Sequence, residues 1–154
     1  MKARDIMVSD FPTVSARTPL VEAARILKKN FGDESYQNAA PGFVVLNDQG
    51  QLAGILSPLT IIEALIGAAK QASPPTSTDP AFFESLCGSI RDKRVEDVMD
   101  WQSISVTEEA DLLDVAELFV KNRFQRIPVV KGAQVTGIIY RSRLLFAMAA
   151  CLLD

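Results

Sequence analysis

The segment richest in structural signals is Arg126-Ile-Pro-Val-Val-Lys-Gly-Ala-Gln-Val-Thr-Gly-Ile-Ile-Tyr-Arg-Ser-Arg-Leu-Leu145. Its apolar runs 127–130 and 135–140 predict two β-strands. Between them lies a polar break with Gly132, the residue that a tight turn favours. Apolar residues then recur along one face of a predicted helix: Leu144, Leu145, Met148, Ala149 and Leu152.

The same order of signals occurs once earlier in the chain. The runs Phe43–Leu46 and Leu52–Leu56 flank a polar turn, and a second apolar helical stripe follows them. Gly54 stands 83 positions before Gly137, and the stripe keeps the same spacing. Its members are Ile61, Ile62, Leu65, Ile66 and Ala69. An ordered set at one spacing indicates an internal repeat.

The beginnings of the two copies also match. Arg4-Asp-Ile-Met7 returns 92 positions later as Glu96-Asp-Val-Met99, and Thr13-Val14 corresponds to Ser105-Val106. An amphipathic helix face follows in each copy. Each copy therefore predicts a strand or turn, a helix, two strands and a second helix.

This repeated order predicts an α+β fold. A copy of about 60 residues buries little apolar surface alone, so we expect two pseudo-twofold related repeats packed through their short β-sheets. We assign residues 1–67 to the first repeat and 94–154 to the second. The connection 68–93 predicts a flexible linker, rich in proline, serine and threonine, that ends in a short helix. Segment 31–42 predicts a surface loop, either a tolerated insertion or a functional element.

The composition limits the possible partners. The 154 residues are 48% hydrophobic and 23% charged, with a formal net charge of −3. This charge gives no electrostatic basis for binding nucleic acid or an anionic membrane. No apolar run approaches the roughly 18 residues of a membrane span, and the N-terminus lacks the apolar core of a secretory signal.

The chemistry-bearing residues argue against an enzyme. The chain has no histidine, so it lacks the commonest general base and the commonest metal ligand. No pair of carboxylates stands at a spacing that indicates catalysis. Cys87 and Cys151 are too few for a disulfide framework, so we expect a reducing cytoplasm.

The doubled motifs resemble a tandem of cystathionine-β-synthase (CBS) domains, called a Bateman module. They are Asp-hydrophobic-Met, a Thr/Ser-Val strand, a leucine- and alanine-rich helix, and a valine-rich strand before Gly-Ile. The resemblance implies β-α-β-β-α repeats and a regulatory role. Among proteins of this family, the chain resembles the stand-alone members. It further implies that AMP, ADP, ATP or S-adenosylmethionine binds between the repeats and changes the activity of a separate protein. The sequence does not indicate which protein is regulated.

The family's ligand signature is Gly-hydrophobic-x-Thr/Ser-x-x-Asp, in which the hydroxyl contacts phosphate and the aspartate holds the ribose. In the first copy Ser57 matches, but Thr60 stands at the aspartate position; in the second, Tyr140 and Arg143 replace both residues. Both copies therefore lack the ribose carboxylate. The resemblance implies seven ligand-binding candidates: Val14, Phe43, Ser57, Thr60, Arg126, Tyr140 and Arg143.

Several of these residues also have structural interpretations. Ser57 either contacts a ligand or caps the following helix. Tyr140 either stacks on a base or fills the cleft itself. Arg126, Arg141 and Arg143 either attract a phosphate or stay solvated or paired with carboxylates.

Two functions follow from these alternatives. The first is a sensor of an adenosine nucleotide or a related anion. The second is a ligand-independent dimerisation or interaction module with degenerate sites. The helices after the two glycine strands carry apolar faces, and the C-terminal one, over Leu144–Leu153, is apolar nearly all round, more than one buried face requires. We therefore expect a homodimer built on residues 59–69 and 143–153, with Phe146 and Met148 near its centre.

Overall fold

The computed structural model describes residues 1–31, 41–71, 80–101 and 104–152. The helices are α1 (Ala3–Ile6), α2 (Leu20–Phe31), α3 (Pro58–Gln71), α4 (Pro80–Ile90), α5 (Leu112–Asn122) and α6 (Arg141–Met148). The strands are β1 (Thr13–Ser15), β2 (Phe43–Leu46), β3 (Leu52–Leu56), β4 (Val106–Thr107), β5 (Arg126–Lys131) and β6 (Gln134–Tyr140). Val95–Asp97 and Ala150–Leu152 form short 3-10 turns.

Each repeat contributes one three-stranded sheet. In the first, β1 runs parallel to β2 and β2 antiparallel to β3; β4, β5 and β6 repeat this arrangement. The registers correspond, because Val14 pairs with Val45 and Val106 pairs with Val129. The predicted α+β fold with two similar repeats is confirmed.

The segment that opens each repeat packs into the core of the other repeat. Ala3 and Ile6 of α1 lie in the core of the second repeat, beside Val115 and Ile127. In the same way, Val95 and Met99 of the second repeat lie in the core of the first, around Leu20, Phe43 and Leu56, and Ile90 at the end of α4 joins them. Neither core is complete without residues from the other end of the chain.

Matched hydrogen bonds hold these exchanged segments in place. The backbone N–H of Ala3 donates to the carbonyl of Ala110 at 2.9 Å. Ninety-two positions later, the N–H of Val95 donates to the carbonyl of Thr18, also at 2.9 Å. This equivalence follows the pseudo-twofold relation that the repeat spacing predicts.

A second pair of contacts adds one residue to each sheet. In each case that residue comes from the segment that opens the other repeat, here called its entry segment. Val8 exchanges backbone hydrogen bonds with Ile138 of β6, at 2.7 and 2.9 Å. Asp100 does the same with Ile55 of β3, at 2.8 and 3.2 Å. The exchange therefore brings Asp100 to the edge of the first repeat.

The two methionines of the repeated motif lie on the two repeated glycines. A Cβ atom at Gly137 would stand 2.7 Å from the Sδ atom of Met7. One at Gly54 would stand 2.5 Å from the carbonyl oxygen of Asp100 and 3.0 Å from the Sδ atom of Met99. The methionine motif of one repeat thus contacts the glycine of the other. The absence of a side chain at each glycine leaves room for this contact.

The two sheets meet in a smaller apolar layer. Val44, Ile138 and Tyr140 are buried there, against partly buried side chains that include Val8 and Ile55. This layer confirms that the repeats pack through their short sheets.

The helices differ from expectation in one place. The C-terminal helix, predicted to continue through the apolar run to residue 153, ends at Met148, with Ala149 as its C-cap and a 3-10 turn after it. No glycine or proline marks this end in the sequence. Near the end of the connection 68–93 lies the helix α4, on which Leu86 and Ile90 are buried and Phe83 is half exposed. Residues 32–40 of the predicted loop and 72–79 of the linker lie outside the described residues.

The two helices that follow the glycine strands leave apolar side chains exposed. On α3, Ile61 and Leu65 pack on the first core, whereas Leu59, Ile62 and Ile66 face outward. On α6 the exposed side chains are Leu145, Phe146 and Met148. Within the four described ranges, no helix is long and apolar enough to cross a membrane.

A fragment of residues 1–73 tests the exchanged cores. It lacks Ile90, Val95 and Met99, and it removes the core into which α1 packs. Each lost buried side chain is worth about 1.5–3 kcal/mol, against a total stability of about 5–15 kcal/mol. We expect this fragment to show no cooperative thermal transition or to self-associate, whereas the full chain melts in one step. Circular dichroism and light scattering measure both; a soluble monomeric fragment with a sharp melt would contradict the exchange.

Substitutions at the two glycines test the methionine contacts. We expect Gly54→Ala to destabilise more than Gly137→Ala, because its nearest atom, the Asp100 carbonyl oxygen at 2.5 Å, is fixed backbone, whereas the two nearest atoms at Gly137, Sδ and Cγ of Met7, can move. Overpacking of this kind costs about 1–3 kcal/mol. In double-mutant cycles followed by urea unfolding, Met7→Ala should relieve Gly137→Ala in part, because it removes the Sδ and Cγ atoms but keeps a Cβ 2.9 Å from the new one. Met99→Ala should not relieve Gly54→Ala, since the contact with the Asp100 carbonyl remains. Equal costs, or relief in both cycles, would refute this account.

Candidate ligand cleft

A cleft of about 270 Å³ opens between the N-terminus of α3 and the start of β5. Both repeats and the exchanged segment around Asp100 contribute to it. Its lining residues are Ile55, Ser57, Leu59, Thr60, Glu63, Asp100, Ile104, Asn122, Arg123, Phe124, Gln125, Arg126 and Pro128. Three of the seven predicted candidates, Ser57, Thr60 and Arg126, therefore come together here.

Ser57 and Thr60 cap helix α3 reciprocally. The backbone N–H of Ser57 donates to Oγ1 of Thr60 at 3.0 Å, and the N–H of Thr60 donates to Oγ of Ser57 at 3.4 Å. The hydroxyl of Thr60 donates to the Ser57 carbonyl at 2.9 Å. This pair forms a capping box, with Thr60 at the position usually taken by glutamate. Thr60 is only 8% exposed, so at the family's aspartate position it stabilises the helix start.

Arg126 is a buried cation at the wall of the cleft. The residue is 8% exposed, and Nη2 donates to the Pro41 carbonyl at 2.9 Å. Its Nε atom has no hydrogen-bond partner among the described residues. Burial lowers the pKa of the guanidinium, an effect that the neighbouring Tyr140 opposes. A buried charge with an unsatisfied donor is costly, so an anion in the cleft would stabilise it.

Gly42 makes room for this arginine. The Nη1 atom of Arg126 lies 2.6 Å from where a Cβ at Gly42 would stand, and the carbonyl oxygen of Leu56 lies 2.9 Å from it. The φ angle of Gly42 is +154°, in the region that favours glycine. The guanidinium thus crosses from the second repeat into space left open by the first.

The other four candidates lie elsewhere. Val14 and Phe43 are buried in the core of the first repeat. Tyr140, the repeat counterpart of Ser57, fills the layer between the sheets, and this burial raises its pKa against the opposing effect of Arg126. Arg143 donates from Nε to the carbonyl of Ile6 at 3.3 Å, at the end of α1. None of the four lines the described cleft.

Three charged lining residues were not predicted. Asp100 directly follows the Met99 motif, and only the pairing of its segment with β3 brings it to the cleft. Glu63 lies one turn after Thr60. Arg123 ends α5 with a φ angle of +58°, and its carbonyl accepts from Nη2 of Arg141 at 3.4 Å. Of these three residues, only Asp100 is connected to the cleft by the repeat spacing. Its counterpart Val8 stands 92 positions earlier and pairs with the sheet of the second repeat in the same way.

The lining combines three kinds of chemistry. Arg123 and Arg126 supply cations, and Glu63 and Asp100 supply carboxylates. The remaining walls include apolar surface from Ile55, Ile104, Phe124 and Pro128. Such a set suits a ligand that carries an anionic group, hydroxyl groups and a flat apolar ring.

Comparison with known proteins assigns the family. The model of the CBS domain matches residues 3–67 and 95–150, one match for each repeat. The chain belongs to the CBS domain family. None of the descriptions of the family model and of the matched proteins named here includes a catalytic activity.

Several known proteins resemble this CBS pair along most of its length. An uncharacterized protein of Methanocaldococcus jannaschii is 28% identical over 163 residues, which cover 96% of this chain and 91% of that protein. The CBS-pair protein CBSX2 of Arabidopsis thaliana superposes with a TM-score of 0.73 at 22% identity, covering 99% of this chain and 97% of that one.

Two similar structures contain nucleotides. The structure of CBSX2 in complex with AMP gives a TM-score of 0.69 at 20% identity, with 98% of each chain covered. The cytosolic domain of the Mg²⁺ channel MgtE in complex with ATP gives 0.66 at 21% identity, covering 95% of this chain and 48% of that one. At these identities the likeness shows the shared fold.

The capping box predicts a stability effect that needs no ligand. We expect Ser57→Ala and Thr60→Val each to lower the free energy of unfolding by about 1 kcal/mol. The double variant should lose less than the sum, because the two residues act on each other. Urea unfolding measures these values, with the exposed Ser105→Ala as a matched control. Unchanged stability in Ser57→Ala would show that its hydroxyl does not cap the helix.

Proposed function

We propose that this CBS pair is a sensor that binds an adenosine nucleotide in the cleft and thereby changes the activity of a partner protein. One observation carries the proposal: Arg126 is buried at the cleft wall with its Nε donor unsatisfied among the described residues. A phosphate group would satisfy this donor and neutralise the charge.

The start of α3 supports a phosphate at the same end of the cleft. The helix is 14 residues long, and its N-terminus carries a partial positive charge that favours anions. Ser57 accepts one hydrogen bond as the cap, and its hydroxyl hydrogen can still donate to a phosphate oxygen. Arg123 lies at the same cleft and adds a second cation.

The ribose and the base also find complementary groups. Thr60 cannot replace the family's aspartate, but Glu63 lies one turn further along α3 and presents a carboxylate to the cleft. A carboxylate accepts two hydroxyl donors well, so we assign the ribose to Glu63, with Asp100 as a second acceptor. The apolar side chains of Ile55, Ile104 and Phe124 then contact the adenine ring.

The second repeat is proposed to bind no nucleotide at the equivalent place. Tyr140 occupies the position of Ser57 with a buried side chain, and Arg143 bonds the carbonyl of Ile6. One nucleotide per chain is therefore expected. AMP and ATP are the first candidates, since they occupy the two similar structures, and ADP and S-adenosylmethionine share the adenosine group.

The sensor is further proposed to act as a cytoplasmic homodimer on residues 59–69 and 143–153, with Phe146 and Met148 near the centre. Four large side chains support this face, each about half exposed: Ile62, Ile66, Phe146 and Met148. Exposed apolar clusters of this kind mark interfaces. The cysteines Cys87 and Cys151 are free, in keeping with a reducing compartment.

A ligand panel tests the nucleotide site. AMP, ADP, ATP, NAD and S-adenosylmethionine are added one at a time, and thermal melting and the fluorescence of Trp101, which follows the cleft residue Asp100, are recorded. A ligand at about 100 times its dissociation constant should add about 2.7 kcal/mol, or roughly 5–10 °C. We expect Arg126→Met to raise the dissociation constant at least about tenfold, because a charged hydrogen bond is lost. Ser57→Ala should weaken binding less.

Arg143→Met is the matched control for this panel. It removes the same charge from the same repeat at a position outside the cleft, where Arg143 bonds the carbonyl of Ile6, and we expect it to leave the dissociation constant unchanged. Loss of binding in Arg143→Met, with Arg126→Met unaffected, would move the site to the second repeat. If no ligand shifts the melt, the sensor proposal fails and a ligand-independent dimerisation or interaction module remains.

A further inference from the structure

The two entry segments carry opposite charges at one equivalent position. Arg4 in the first repeat corresponds to Glu96 in the second, at the repeat spacing of 92. The sites on which the segments dock are inverted in the same sense, since Glu109 in the second repeat corresponds to Arg17 in the first. Because the segments are exchanged, each brings its charge to the repeat that carries the opposite one.

Backbone hydrogen bonds place the four charges equivalently. The N–H of Arg4 donates to the carbonyl of Glu108 at 3.0 Å, and the N–H of Glu96 donates to the carbonyl of Ala16 at 2.9 Å. In both contacts, the residue that directly follows the acceptor has the charge opposite to that of the donor residue. The inversion therefore lies within two matching contacts between the repeats.

The two contacts differ in how their charges are paired. In the second repeat, Nη1 of Arg4 forms an ion pair with Oε1 of Glu109. In the first, Nη2 of Arg17 pairs with Oδ2 of Asp48 at 2.8 Å, and the backbone contact brings Glu96 beside this cation. The side chains of both ion pairs are at least half exposed, and such pairs add little stability. Their main effect is to discriminate between partners.

The buried residue before each of these charges is inverted in size. Ala3 lies in the core of the second repeat together with Val115, and Val95 lies in the core of the first together with Ala23. The spacing of 92 relates Ala3 to Val95 and Ala23 to Val115, and all four residues are fully buried. Each core thus contains one alanine and one valine at these positions.

Pairing of like repeats would break both matches. In chains with repeated units, a repeat can pair with the wrong unit, including the same repeat of a second molecule. Two first repeats would set arginine against arginine and leave two alanines in one core, which creates a cavity. Two second repeats would set glutamate against glutamate and crowd two valines together. We propose that the inverted positions form a recognition surface that accepts only the unlike repeat and directs each entry segment to the other half of the chain.

The remaining ion pair of α1 does not discriminate in this way. Lys2 pairs with Asp111 at 2.6 Å, and Arg94 and Pro19 form the equivalent backbone bridge in the other contact. Two first repeats would lose the ion pair, whereas two second repeats would form one between Arg94 and Asp111. These changes offset each other, so the discrimination lies in the inverted charges and sizes.

Engineered cysteines report which repeats have paired. Val8 exchanges backbone hydrogen bonds with Ile138, a geometry that a disulfide can bridge, and it would face Ile55 if like repeats paired. In the full chain with Cys87→Ser and Cys151→Ser, V8C/I138C should form a disulfide within one chain. V8C/I55C should form one only when like repeats pair, between chains or within one repeat. Refolding from urea, mild oxidation and a non-reducing gel separate these products.

Charge exchanges on the V8C/I55C background separate stability from the choice of partner. R4E/E109R keeps opposite charges in native pairing but also gives them to like repeats. We expect an unchanged melting temperature and about tenfold or more of the like-repeat disulfide. R4E/E96R makes the native contacts repulsive and should give more of it still. Reversal of all four charges restores the wild-type pattern and should return the disulfide to the wild-type level.

A3V/V115A is the matched variant for size. It keeps one alanine and one valine in each native core but allows the same in like pairing, so it should also raise the like-repeat disulfide. Added sodium chloride should reduce the effect of the charge exchanges and leave that of A3V/V115A, because salt screens exposed charges and not packing. If R4E/E109R and R4E/E96R both stay at the wild-type level of this disulfide, the linker alone selects the partner and the proposal is overturned.

Discussion

The structure depends on a reciprocal contact in which each repeat lays a methionine on a glycine of the other. Met7 covers Gly137 and Met99 covers Gly54, and in each case a side chain on the glycine would collide with the entry segment. These contacts hold the exchanged segments beside β3 and β6, the last strands of the two sheets. Backbone hydrogen bonds then connect each segment to its strand. Both hydrophobic cores then require residues from both halves of the chain. The repeats are consequently one structural unit despite their separate sheets.

The cleft is a product of the same exchange. Its floor and α3 belong to the first repeat, Arg126 belongs to the second, and Asp100 arrives with the exchanged segment. The pseudo-twofold relation between the repeats would give two equal clefts, but the two repeats carry different residues at these places. Gly42 in one repeat corresponds to Arg126 in the other, and the arginine extends into the space beside the glycine. Tyr140 in place of Ser57 adds bulk on one side only. Small differences between the copies thus make the two sides of a symmetrical scaffold unequal, and the described cleft lies on the side of Ser57.

The local parts of the fold could be predicted from the sequence because their signals are local. Both strand pairs, their turns and the helix α4 follow from short apolar runs and from the glycines and polar residues between them. The resemblance also brought forward Ser57 and Arg126, which line the cleft. The exchange of segments was not predicted, since nothing near Met7 in the sequence indicates Gly137. The roles of Glu63 and Arg123, and the orphaned donor of Arg126, depend on how distant segments pack.

The exchange of segments also constrains how the chain reaches its native state during synthesis. α1 leaves the ribosome first, yet its core is formed by residues around 106–144, near the other end. The first sheet likewise waits for Val95 and Met99. Contacts so distant in sequence close slowly, because the intervening chain must be ordered before they are made. The growing polypeptide therefore carries uncovered apolar surface until α6 has been synthesised, and apolar surface exposed in this way promotes aggregation.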